Sequence, residues 1–195
     1  MICAQLAKCV EQLSAAVKPD VNQGKKAQDK KSNGSVFQGN PCENSENLKN
    51  CVLFCDQRSM PSCSEHGKNY TLNIGTHSFE TICFHVDGGV IVSNDCSKCD
   101  YAFFLKDADN REILIELKGS NVGHALKQLR STLEMAEFKE CSKNRKVYGR
   151  ISCTQSVPRI YQNEEVITKK LFLQHKGNLK IGKAEFVENY DDLDN

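Results

Sequence analysis

Apolar residues recur at two different periods along the chain, and the change of period divides it. Ile2, Leu6, Cys9, Val10, Leu13 and Val17 fall three or four positions apart, the spacing of one helix face, so residues 2–17 are predicted as an amphipathic helix. Residues 18–41 hold Lys, Asn, Gln, Gly and Ser with almost no apolar content and are expected to form a flexible linker. Leu48, Val52 and Cys55 suggest a second helix over 44–56, ended before Pro61 and followed by a polar loop to about Asn69.

Beyond residue 78 the pattern becomes that of strands. Phe79 to Val86 is rich in β-branched and aromatic residues, and Asp87-Gly88-Gly89 is turn chemistry, with Val90 to Val92 expected as the returning strand. Tyr101–Leu105 and Ile113–Lys118 read as two further strands around a turn at residues 107–110. The unbroken apolar run of the second implies burial on both faces. Gly119-Ser120-Asn121 offers a loop and a helix N-cap, and Val122, Leu126, Leu129, Leu133 and Ala136 mark about four helical turns. A strand over 146–153, a helix near 163–174 and a short strand at 179–181 complete the series. The order predicts an α/β domain over residues 42–183, with a mixed sheet, flanking helices and a helical crossover. Residues 184–195 are set apart as an acidic C-terminal tail.

Composition narrows the setting. No run approaches 18 apolar residues, which excludes a membrane-spanning helix of the usual kind. Lys8 and Glu11 interrupt the N-terminal apolar pattern, so no secretory leader is expected. Eleven cysteines, an odd number, then point to reduced thiols and a cytoplasmic setting. Cys96-Ser-Lys-Cys99, with Cys42, Cys51, Cys55 and Cys63 upstream, could bind zinc, although buried thiols are the commoner use of such residues. The net charge of +1 conceals segregation: residues 32–117 hold 6 basic and 12 acidic side chains, and residues 118–183 hold 14 and 5. A polyanion could lie on the basic block while cations sit in the acidic one.

The chemistry gathers at one predicted hairpin. A turn centred on residues 108–109 places Asp100 opposite Glu116, Leu117 or Lys118. Alternation puts Glu116 and Lys118 on one face. Two adjoining carboxylates repel unless compensated, and a hard divalent cation, Mg²⁺ or Mn²⁺, is the natural compensator. Asp100, Glu116 and the carbonyl of Leu117 are then candidate metal ligands, and Lys118 a candidate to position water or stabilise negative charge. The plainer alternative is a surface cluster of ion pairs at a sheet end. A second Glu-x-Lys, Glu137-Phe138-Lys139, lies in a predicted helix, where its two side chains diverge by about 200°.

Asp100, fifteen residues, and then Glu116-Leu117-Lys118 ending an apolar strand before a helix resemble the PD-(D/E)XK nuclease superfamily, with Cys99 in place of its proline. The resemblance covers roughly residues 43–155 at three specific positions. It implies a restriction-endonuclease-like αβββαβ core, also found in Holliday-junction resolvases, and metal-dependent hydrolysis of phosphodiesters. The expected substrate is DNA ahead of RNA. By position, Asp100 and Glu116 would be metal ligands and Lys118 the catalytic lysine. Glu80, Glu46 and Glu43 are candidates for an upstream acid, and His124 and Gln128 for the supporting residue that some members carry on the following helix. Lys127, Arg130, Lys139, Lys143, Arg145, Lys146 and Arg150 are candidates for phosphate contact. A homodimer is the expected assembly of a double-strand cutter. The alternative function is a catalytically inactive module on the same fold that binds nucleic acid or protein.

Overall fold

The computed structural model describes Val10, residues 51–154 and residues 161–195. The expected helix over 2–17 (apart from Val10, which is helical and buried), the linker, residues 44–50 and Pro158 lie outside the described residues.

The strands are β1 (Val52–Asp56), β2 (Ser62–Glu65), β3 (Lys68–Asn73), β4 (Thr81–His85), β5 (Tyr101–Leu105), β6 (Glu112–Leu117), β7 (Val147–Ser152), β8 (Leu179–Gly182) and β9 (Glu185–Asn189). The helices are α1 (Val122–Glu134), α2 (Ala136–Cys141) and α3 (Gln162–Gln174). One sheet has the order β1-β4-β5-β6-β7-β8, antiparallel as far as β6 and parallel from β6 to β8. Its face bearing Ala102, Phe104 and Leu114 packs against Val122, Leu126 and Leu129 of α1. Its other face, with Phe103, Ile113, Ile115 and Tyr148, packs against Tyr70 and Leu72 of a smaller sheet ordered β2-β3-β9. The chain is thus a mixed α/β protein in three layers, with two cores divided by the large sheet. Burial from both sides explains why β5 and β6 read as unbroken apolar runs. On β7, Gly149 admits the Phe172 ring of α3, because a Cβ there would lie 2.6 Å from it.

Four expectations fail. Residues 52–56 form a strand, not the end of a helix, because pairing with β4 lets Phe54 and Cys55 bury on opposite faces. The expected polar loop after Pro61 is the β2–β3 hairpin, turned by His66 and Gly67, both at positive φ (47° and 72°). Its inner face carries Cys63, Tyr70 and Leu72. Val90 to Val92 do not return as a strand. The amides of Val90 and Ile91 bond back to the carbonyls of His85 and Val86, and the buried Val90 and Ile91 anchor a tight loop. Finally, residues 184–195 are no separate tail: β9 pairs in parallel with β3, and Leu193 is fully buried.

Candidate functional site

The antiparallel register pairs Tyr101 with Ile115, and the Asp100 amide donates to the Ile115 carbonyl at 3.1 Å. Asp100 thus leads into β5 beside the end of β6, one residue out of the register of the ladder, and its charge acts on the Glu116 carboxyl. Asp100 Oδ2 accepts a hydrogen bond from the Leu117 amide at 2.7 Å, which fixes the side chain against β6. Just past the strand, the Lys118 amide bonds to the Ser152 carbonyl of β7 at 2.8 Å. Lys118 Nζ stands 3.3 Å from Glu116 Oε1, with its own side chain 29% exposed. The sheet end thus joins the two acids and the amine.

The electrostatics of the pair are unfavourable in isolation. Glu116 is fully buried, and neither carboxyl oxygen accepts a properly aligned hydrogen bond. Burial first, and the Asp100 charge second, push its pKa up to about 9 against the pull of Lys118. Burial raises Asp100 to about 6, opposed by the bond from Leu117 and reinforced by the charges of Glu65 and Asp87. Two orphaned carboxyl oxygens beside a second acid are a donor set that suits a hard dication. Among the described residues, however, no three His, Cys, Asp or Glu side chains converge as a ready-made metal cage. A cation here would take Asp100, Glu116 and the Leu117 carbonyl, with water or substrate completing its shell.

The supporting candidates divide. Gln128 is buried and donates from Nε2 to the Lys98 carbonyl at 2.8 Å, so it holds the segment that leads into Asp100. In the same segment the Cys99 amide donates to Thr132 Oγ1 of α1 at 2.8 Å, and the Cys99 thiol bonds to the Tyr101 carbonyl. The residue in the place of the superfamily's proline is therefore a buried anchor. His124 is exposed, and its backbone amide donates to Oδ1 of the N-cap Asn121 at 3.0 Å. Glu80 is excluded by position: it precedes β4 at the far end of the sheet, where its carboxylate pairs with Lys106. Glu43 and Glu46 lie outside the described residues. Cys96 and Cys99 are free thiols that no further ligand joins among the described residues.

Three charged residues near the pair were not singled out in the sequence. Asp87 and Glu65 both act on the Asp100 carboxyl, and the buried Lys98 pairs with Asp87 at 3.1 Å. Asp87 was read only as turn chemistry, and Glu65 sits in the hairpin that polar composition concealed.

The basic candidates do not share one face. Lys127 is exposed on α1, and Arg130 pairs with Glu164 of α3. Lys139 on α2, and Lys143, Arg145 and Lys146 after it, line the opposite end of the sheet, beside the β5–β6 turn. Arg150 is fully buried and makes two bonds to Glu188, at 2.5 and 3.0 Å, so it cannot touch a phosphate. Tyr70 and Lys180 also bind Glu188. Compared with models of known protein families, with curated proteins and with solved structures, the chain matches none.

Proposed function

We propose that the chain is a metal-dependent nuclease of the PD-(D/E)XK kind, with a restriction-endonuclease-like core and DNA ahead of RNA as its substrate. The observation that carries this reading is the neighbouring acids Asp100 and Glu116, with both Glu116 oxygens buried without an aligned hydrogen bond and Lys118 3.3 Å from one of them. The order of three antiparallel strands (β4, β5, β6), crossover helix α1 and parallel strand β7 supports it.

Bound Mg²⁺ or Mn²⁺ would offset the paired negative charge and polarise a phosphoryl oxygen and a water. The protein supplies the rest. Asp100, held by the Leu117 amide, keeps one carboxyl oxygen fixed and presents the other. Glu116 must release a proton that its burial retains, so cation uptake costs proton release and strengthens as pH rises. The half-exposed ammonium of Lys118 orients water and stabilises negative charge as it develops on phosphate oxygens.

Cleavage of plasmid, single-stranded DNA and RNA in Mg²⁺ or Mn²⁺ tests the proposal. The parent should cut at least one substrate, and Asp100→Asn and Lys118→Ala should each lose about 100-fold or more while retaining binding. A parent that binds nucleic acid without cutting it in either metal would instead support an inactive binding module. That second reading is favoured by the lack of a third acidic side chain converging on the pair among the described residues.

A further inference from the structure

The far end of the sheet holds a cleft of about 870 Å³, enclosed by the β5–β6 turn, α2, the residues after it and the end of α3. About 16 Å of strand separates it from the carboxylate pair. We propose that this cleft is an independent polyanion site, which takes two or more adjacent phosphates.

Its lining includes the cations Lys139, Lys143, Arg145, Lys146 and Lys176, against the acids Asp109 and Glu140. Lys146 is engaged by Asp109 at 3.0 Å and by Asp194. Lys139, Lys143 and Lys176 face no acidic partner within ion-pair distance among the described residues. Arg145 lies over the Phe104 ring and donates to the Asn110 carbonyl, so its guanidinium is oriented without being neutralised. Two helices end here, and their dipoles explain a lysine near each terminus but not five cations. Lys176 adds a separate sign. It follows α3 in the left-handed conformation (φ 58°), a position where glycine is the usual and less strained residue. The volume is that of a small-ligand site. The lining offers no Phe, Tyr or Trp on which a base could stack, so recognition would fall on the phosphates. These could belong to a stretch of nucleic-acid backbone or to a free polyphosphate. The site does not rest on the nuclease reading, because it uses neither Asp100 nor Glu116.

The test uses the full chain in EDTA, which removes any metal-dependent cleavage. Binding of a labelled single-stranded oligodeoxynucleotide is followed by anisotropy, and binding of inorganic tripolyphosphate by calorimetry. The parent is compared with the double variant Lys143→Gln, Lys176→Gln and with the control Lys169→Gln, on the exposed face of α3. The double variant should weaken binding of at least one probe about tenfold. For the oligonucleotide, the slope of log K against log salt should fall by about 1.4, for two lost contacts. Loss confined to the oligonucleotide identifies backbone as the ligand, loss confined to tripolyphosphate identifies a free polyphosphate, and loss of both with mutual competition shows that one cleft takes either. The proposal is overturned if the parent binds neither probe, if the double variant binds both as tightly as the parent, or if Lys169→Gln weakens binding as much.

Discussion

Glu116 places an acid with a pKa pushed up to about 9 in the protein interior, beside the ammonium of Lys118. The sign of the consequence for stability is fixed. The folded state holds this proton above the unfolded pKa of about 4.3, so the contribution is fully present below that value and is lost as pH rises towards 9. Glu112, buried and raised to about 7, acts in the same direction over the lower part of the window. Metal-free protein should therefore lose stability between about pH 5 and 9, and Glu116→Gln should flatten the part above pH 7. Urea denaturation at pH 5, 7 and 9 measures this; an unchanged slope for the variant would remove Glu116 as the cause. At this scale the sequence was legible where geometry is local. Asp100, Glu116 and Lys118 followed from one hairpin and its two-residue alternation. Arg150 did not, because its partner Glu188 lies 38 residues away and only the fold brings the two together.

The elements that hold the pair are β5, β6 and the α1 contacts behind the loop before Asp100. Thr132 is the joint: it accepts the Cys99 amide and donates to the Gln128 carbonyl. Thr132→Val keeps the shape but orphans the buried amide, at a cost of about 1–3 kcal/mol. Nuclease activity should fall with it, by less than for Asp100→Asn, because the acids remain while their backbone loosens; an unfolding curve and a cleavage assay read the two effects. Strands with continuous apolar runs, such as β5 and β6, were visible in the sequence because burial on both faces leaves no polar positions. The β2–β3 hairpin was not, because one face is polar and only Cys63, Tyr70 and Leu72 betray the other. The apolar Val90–Val92 triplet misled for the opposite reason: Val90 and Ile91 are buried to anchor a loop, and Val92 is exposed.

Across the whole molecule, charge is used differently at its two ends and in its middle. Beneath the small sheet, Arg150 and Glu188 form a buried pair that stitches β9 to β7, with Tyr70 and Lys180 completing it. Glu188→Gln leaves the guanidinium without its counter-charge and should destabilise the protein by about 3–5 kcal/mol in urea titration. A change below 1 kcal/mol would mean that the buried pair contributes little to holding β9 on β7. The order of the main helices and strands from residue 101 to residue 182 was legible. The integration of 184–195 was not, since acidic composition resembles a tail until a buried arginine is found to need it. The basic block seen in the sequence likewise separates in space, part of it buried at Arg150 and part gathered at the cleft remote from the acids. The most direct measurement is anomalous diffraction at the manganese edge from crystals soaked in Mn²⁺. A peak bounded by the carboxyl oxygens of Asp100 and Glu116 is the expected result; no manganese there, at a concentration that supports cleavage, would contradict the role assigned to the pair.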